Sequence, residues 1–278
     1  MGSVYVGTCN WSDHASFYPA GLPANQQIGY YSQRFPLVEV NSTYYRLMPA
    51  RNFALWAERT PPGFVFDVKA FKQLTHHDRS APPTTEVHGQ FSASVQPLRD
   101  TGKLGALHFQ FPPWFMSGDR NLAYLVSLRE IYPQDLISVE FRHRSWYEPE
   151  AYARVREALR ASGIALTVVD EPQVGTGSVP TVLDVTRPEI VIIRFHGRNA
   201  ATWYARAKTT GERFNYLYTT PELNEWVPRL GELAALAATV HVLFNNNAED
   251  YAVQNAHQMR MLLREGLPGA FVVSSPEE

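Results

Sequence analysis

Three carboxylic acids, one amine and one imidazole stand at the ends of short β-branched runs: Glu39, Glu140 and Asp170, with Lys69 and His196. Carboxyl and imidazole groups can act as general acid or base once a crowded, partly dry setting shifts their pKa. Lys69 would add a point charge, or an imine-forming amine if its pKa were depressed. Arg142, Arg194 and Arg198 offer planar donors that fit a phosphate or carboxylate bidentately. Gly197 and the run Asn245-Asn246-Asn247 fall where many barrels bind phosphate on backbone N–H groups, with ordinary helix capping by asparagine the competing role. The acids together with His196 or His143 are also the donor types of a carboxylate–imidazole metal site. No His-Glu-x-x-His spacing occurs, so a divalent metal is not favoured and the cofactor is left open.

Side chains alternate across a strand, so parity decides which of these residues share a face. Val38 and Val40 oppose Glu39, Asn41 and Thr43. Ile137, Val139 and Phe141 oppose Ser138, Glu140 and Arg142, and Val191, Ile193 and Phe195 oppose Ile192, Arg194 and His196. The apolar parity suits a covering layer of helices, which turns the polar parity inward. Lys69, Gln110, Asp170 and Asn245 are expected to close their strands in the same inward sense. Barrel interiors also hold ion pairs that only satisfy one another, and Glu140 with Arg142 or Arg194 is a candidate for such a pair.

The elements that must position these groups alternate along the chain. β-branched runs fall at 4–8, 37–41, 64–69, 104–110, 137–142, 164–170, 190–196 and 240–245. Amphipathic helix-length segments at 25–35, 51–58, 122–131, 151–161, 222–236 and 248–264 lie between most of them. Eight such repeats predict a single (β/α)8 barrel of TIM type over 1–278, with its binding face at the strand C-termini. An open doubly wound sheet is the alternative, but no glycine-rich phosphate fingerprint follows the first strand. The sixth unit, 171–189, is rich in Gly, Pro, Ser and Thr and reads as an extended loop, as does 199–220 after the seventh strand. That second loop carries Trp203, Tyr204, Arg206, Lys208 and Arg213, the make-up of a lid or partner-binding element. Gly63, Gly163 and Gly266 are expected to cap helices, and a short extension follows about residue 266.

The bulk composition narrows the class. The chain has 278 residues, of which 45% are hydrophobic, with a formal net charge of -2. That suffices for one large core, and it implies no whole-molecule attraction to nucleic acid or anionic membrane. The single cysteine, Cys9, excludes an internal disulfide and suits a reducing cytoplasm. It is expected to be a small buried residue rather than a nucleophile. The N-terminus shows no signal-peptide pattern and no apolar run is long enough for a bilayer. His108 and His241 lie deep in their strands and are expected to be satisfied interior histidines. His76, His77 and Arg79 read as a solvated loop, while Trp11, Trp114, Trp146 and Trp203 read as a roof that can also stack on a ligand.

Several runs resemble a known family. These are Val38-Glu39-Val40-Asn41-Ser42-Thr43-Tyr44-Tyr45, Phe109-Gln110-Phe111-Pro112-Pro113, Val139-Glu140-Phe141-Arg142-His143-Arg144-Ser145-Trp146 and Arg194-Phe195-His196-Gly197-Arg198. With Gly7-Thr8, Trp11, Phe244-Asn245-Asn246-Asn247, Ala252 and Asn255-Ala256 they are similar to the YecE-like family, domain of unknown function 72. The resemblance spans nearly the whole chain in order and implies a TIM-type barrel, without implying a reaction. One departure is Cys9-Asn10, where a Ser-Gly pair is usual.

The functional expectation is an enzyme that binds a small phosphorylated or carboxylated substrate at the mouth and uses carboxylate acid–base chemistry. Glu39, Glu140, Asp170, Lys69 and His196 are its candidate catalytic residues. Asn41, Gln110, Arg142, His143, Trp146, Arg194, Gly197, Arg198, Asn245 and Asn246 are the candidate ligand contacts. A nucleic-acid-processing barrel with aromatic loops and a non-catalytic ligand-binding module are the alternatives.

Overall fold

Strands buried on both faces run parallel, as they must when helices cover the outside of a sheet and side chains fill its inside. The structure is a computed structural model and describes residues 1–175, 178–203, 214–267 and 271–277. Its strands are β1 (Ser3–Cys9), β2 (Leu37–Val40), β3 (Val65–Lys69), β4 (Leu104–Gln110) and β5 (Ile137–Glu140). They continue as β6 (Ala165–Leu166), β7 (Val168–Asp170), β8 (Ile190–Phe195), β9 (Thr239–Phe244) and β10 (Phe271–Val272). The hydrogen-bonded order is β6-β5-β4-β3-β2-β1-β9-β8-β7, every pair parallel.

β6 and β7 are two halves of one strand. Thr167 separates them, and its N–H still donates to Val139 O on the β5 side. The first half pairs with β5 and the second with β8, so this run completes a TIM-type α/β barrel of eight strand positions.

The helices are α1 (Ala24–Ser32), α2 (Ser42–Tyr45), α3 (Ala50–Glu58), α4 (Thr85–Ser94), α5 (Gln96–Asp100), α6 (Asp119–Ile131) and α7 (Pro149–Ala161). α8 (Thr220–Asn224), α9 (Trp226–Leu236) and α10 (Tyr251–Gly266) follow. α4 and α5 escape a periodicity reading because Thr-Glu-Val-His-Gly-Gln-Phe-Ser-Ala-Ser has few apolar positions. α4 is instead secured at its start by Thr84, whose hydroxyl accepts from Val87 N. The segment expected as one helix over 222–236 is two. Pro228 cannot donate, and its ring would strike the carbonyl four residues back, which places the break at Glu225.

The packing divides by parity as expected. Val38, Val40, Val139, Ile193 and Phe195 join the large cluster beneath the helices. Cys9, Leu37, Ala106, Ala165, Ile192 and Leu243 form a separate small cluster inside the bore. Fully burying an aliphatic side chain contributes about 1.5–3 kcal/mol, so the outer layer carries most of the burial energy and the short inner plug supports the mouth above it.

Three expectations are corrected. Gly266 is the last residue of α10 rather than its cap, which is Leu267. The chain after 266 does not run outward: β10 pairs with Ser3 and Val4 of β1, and Glu277 N donates to Gln33 O. His76 and His77 are half-buried rather than solvated, packed edge-on against Tyr124 and Tyr44 respectively. The sixth unit contains no helix among the described residues, as expected, and Asp184 ties it to Tyr152, Arg156 and Arg160 of α7. Of the second long loop, residues 204–213, with Tyr204, Arg206, Lys208 and Arg213, lie outside the described residues.

Candidate functional site

Four inward rows converge where β2, β4, β5 and β8 end. Cys9 and Asp67 lie in register with Glu39, Gln110 with Glu140, and Lys69 with His108. At the centre lies Arg194, fully buried, whose Nη2 donates to Glu39 Oε1 at 2.8 Å and whose Nη1 donates to Glu140 Oε2 at 2.7 Å. Arg194 Nη1 also reaches Gln110 Oε1 at 3.2 Å, and Nη2 the Cys9 sulfur at 3.5 Å.

Glu140 is saturated with donors. Its Oε1 faces Arg142 Nη1 and His196 Nε2, each at 3.1 Å, and its Oε2 faces Arg194 Nη1 at 2.7 Å and His108 Nε2 at 3.4 Å. Burial by itself would raise its carboxyl pKa; Arg194 and the flanking histidines outweigh that and hold it well below the carboxylate range. Such a group stays ionised and serves as a fixed anion rather than a proton carrier. Glu39 is likewise held low against burial, chiefly by Arg194, but its Oε2 has no hydrogen-bond partner among the described residues.

His196 is buried and neutral. Burial lowers its pKa to about 3 in spite of Glu140. Nδ1 lies 3.0 Å from the Asn245 amide nitrogen, so it accepts, and Nε2 carries the proton toward Glu140. Trp203 and Phe214 cover the ring, and Trp203 also lies 4.9 Å from the Arg142 guanidinium carbon.

Lys69 differs from the other mouth cations. Its Nζ donates to Gln110 Oε1 at 2.9 Å and sits 5.0 Å from the centre of the Tyr44 ring, and the residue is partly open to solvent. Burial and then Arg194 lower its amine to about 8, against the pull of Glu39 and Glu140. Among the described residues it forms no ion pair, whereas Arg142, Arg194 and Arg198 all do.

Asp170 and Arg198 sit elsewhere. Asp170 is in register with Phe195 and therefore faces the helices, not the bore. Its oxygens receive Arg198, the Tyr218 hydroxyl at 2.7 Å and the Trp226 indole N–H at 2.9 Å. Arg198 further pairs with Glu222 and Glu225. The inward member of that strand end is Glu171, since Val169 shares register with Arg194. Glu171 is buried, accepts from Val179 N at 2.8 Å and lies 3.1 Å from Arg142 Nη1; burial raises its carboxyl to about 7 against Arg142. Parity along 165–171 carries this signal in the sequence. Asp67, paired at 2.8 Å with His241 deeper in the bore, is the other acid that sequence reasoning passes over.

The remaining candidates are mostly engaged. Gly197 has φ 86 and gives its N–H to Tyr218 Oη. Asn246 donates to Tyr216 O and Asn255 Oδ1, and Asn247 to Cys9 O, so these asparagines hook loops together rather than cap α10. His143 Nδ1 accepts from Ser145 N at the start of a 3-10 turn. Trp146 is buried in a stack with Phe141 and Phe115, turned away from the bore. Asn41 lies beyond Glu39 on the same parity, and its Oδ1 is buried without a partner among the described residues, as is Oδ1 of Asn247. Cys9 is buried, and burial followed by Glu39 pushes its thiol up, which suits a packing role. Among the described residues no group of three or more His, Cys, Asp or Glu is arranged to hold a metal ion. No helix among them is long and apolar enough to cross a membrane.

A parallel barrel with a charged crown at its strand ends defines a TIM-type α/β protein. Residues 5–277 match the family described as protein of unknown function DUF72, and the chain belongs to that family. It is 39% identical over 266 residues to the UPF0759 protein YunF of Bacillus subtilis, covering 94% of each chain. Solved structures of DUF72 family proteins superpose closely. EF0366 of Enterococcus faecalis has TM-score 0.86 at 30% identity, covering 94% of this chain and 95% of that one. TM1631 of Thermotoga maritima has TM-score 0.83 at 35% identity, covering 94% and 99%. Asn10 has φ 71, a left-handed conformation that asparagine tolerates better than most residues.

Proposed function

We propose that the barrel mouth binds a small anionic substrate and acts on it by proton transfer. The observation that carries this reading is the uncommitted charge on Lys69. Arg194 is neutralised by Glu39 and Glu140, Arg142 by Glu140 and Glu171, and Arg198 by Asp170 and its neighbours, which leaves the partly open ammonium of Lys69 without an ion pair among the described residues. The proton-handling group in this reading is Lys69, with Glu39, Glu140, Arg194 and His196 as the rigid frame around it. Pre-organised charge of this kind favours a developing charge without reorganisation.

Lys69→Met should weaken binding of inorganic phosphate or a small dicarboxylate at least about tenfold, as loss of one charge-assisted contact worth roughly 1.5–3 kcal/mol requires. Titration calorimetry of both proteins checks this, and equal affinities would remove the reading. Binding of oligonucleotides that weakens steeply with salt, in place of small-anion binding, would favour a nucleic-acid ligand, to which the exposed Tyr45 and Trp114 at the rim are suited.

A further inference from the structure

Lysine is scarce in this chain: only Lys69, Lys72, Lys103 and Lys208 occur among 25 basic residues. Lys103 is a structural clamp whose ammonium donates to Ala57 O, Thr60 O and Thr60 Oγ1. Lys72 lies in a 3-10 turn beyond β3. Lys69 is the lysine set among arginines at the mouth. Arginine would hold an anion bidentately but cannot give up its proton, so a lysine at this point is the residue type that suits a nucleophile.

We infer that Lys69 forms an imine with a carbonyl compound that also carries an anionic group and hydroxyls, a keto acid or a phosphorylated keto sugar. This inference rests on the anion-binding reading of the mouth. Three features of the geometry point to it. Lys69 Nζ is placed by one hydrogen bond, to Gln110 Oε1, and lies beside the Tyr44 ring, so it has a fixed position without an ion pair that would keep it protonated. Arg194 lies within reach of the same Gln110 oxygen and disfavours a second positive charge there. Among the described residues the buried oxygens Glu39 Oε2, Asn41 Oδ1 and Asn247 Oδ1 lack donors, and ligand hydroxyls are donors of the kind they need.

In the step itself the neutral amine nitrogen attacks the carbonyl carbon, and one N–H proton moves to the carbonyl oxygen to give a carbinolamine. Loss of hydroxyl together with the second N–H proton releases water and leaves the C=N bond. Protonation of that nitrogen gives an iminium that can withdraw electrons from the neighbouring carbon. No oxidant or reductant is involved. The charged and titratable groups that face Lys69 are Arg194, Glu39, Glu140, Cys9, His77 and Arg142 through His77.

The full-length protein would be incubated with pyruvate, or with dihydroxyacetone phosphate, in the presence of cyanoborohydride, and the alkylated lysine mapped by peptide mass spectrometry. Trapping at Lys69 should run at least about tenfold faster than at Lys72, since its lowered pKa leaves much more free amine at neutral pH. The rate should rise with pH through about 8, where half of the amine is free, and level off above it. The two probes separate a carboxylate from a phosphate as the preferred anion. Lys69→Arg, which keeps the charge, and Lys69→Met should both abolish the fast trapping, and their unfolding midpoints report whether each still folds. Equal trapping at Lys69 and Lys72 with both probes overturns the imine. Oxalate and inorganic phosphate, which cannot form one, test the seat separately: their binding without trapping defeats the imine alone, and absence of both defeats the anion reading too.

Discussion

Glu171 and Glu140 share the Arg142 guanidinium yet sit at opposite ends of the carboxylate range. The difference lies in donor count: Glu140 accepts three side-chain hydrogen bonds with His108 close by, whereas Glu171 has one backbone N–H and one shared arginine against full burial. A carboxyl raised from 4.5 to about 7 opposes folding when ionised, so its contribution to stability declines as pH rises through that window. Glu171→Gln keeps an oxygen for Val179 N and cannot ionise. The variant should therefore gain on the wild type as pH rises from 4 to 8, by about 3 kcal/mol at the top if the whole shift is relieved. Denaturant unfolding at the two pH values checks this, and a difference that does not change with pH would refute it. The same residues show how the mouth charges balance. An excess of arginines over acids suggests free guanidinium groups, but Glu171, Glu222 and Glu225 absorb them, and Lys69 is left as the cation without an ion pair.

At the scale of elements, the strand that completes the barrel is also its most irregular one. β6 and β7 are short; among the described residues the connection after them has no helix and the buried Thr167 hydroxyl between them has no hydrogen-bond partner. An unsatisfied buried polar group costs about 1–3 kcal/mol, whereas valine has nearly the same shape and no such requirement. Thr167→Val should then raise the thermal unfolding midpoint while leaving the backbone bond to Val139 O intact. A fall in the midpoint would mean that the hydroxyl is satisfied after all. Other elements tie down with side chains where helices are weak, as Lys103 does beneath the end of α3 and Asp184 does against α7.

Across the whole molecule, histidines shielded from water set the response to acid, and burial lowers His14, His76, His77, His88 and His196 alike. Burial holds His77 and His196 at about 3 and His88 at about 4, below the ordinary 6.5. A histidine whose folded pKa is lowered stays neutral in the fold but protonates on unfolding. Its stabilising effect is thus complete above 6.5 and is lost as pH falls toward those values. Glu171 works the other way over part of this range, and one carboxyl does not offset five imidazoles. The depressed Glu39 and Glu140 add a further loss below about 4.5. The urea midpoint should therefore be lower at pH 5 than at pH 7, and a higher midpoint at pH 5 would contradict the balance.

Much of this was legible from the chain alone. Short β-branched runs separated by helix-length segments determine a parallel barrel, because a strand buried on both faces and a crossover helix have few other ways to pack. Parity then places Glu39, Lys69, Gln110, Glu140, Arg194 and His196 on one inward crown, and the family motifs run along the same strands. What only the tertiary structure decided is who neutralises whom. The Arg194–Glu39 contact joins residues 155 apart and the Arg194–Glu140 contact residues 54 apart. The turn of Asp170 outward and Glu171 inward follows from register against β8. Such pairings exist only once the sheet has closed, since a charge's partner is set by distance across the bore and not by position along the chain. That closure is what converts Glu140 into a fixed anion and leaves Lys69 without an ion pair among the described residues.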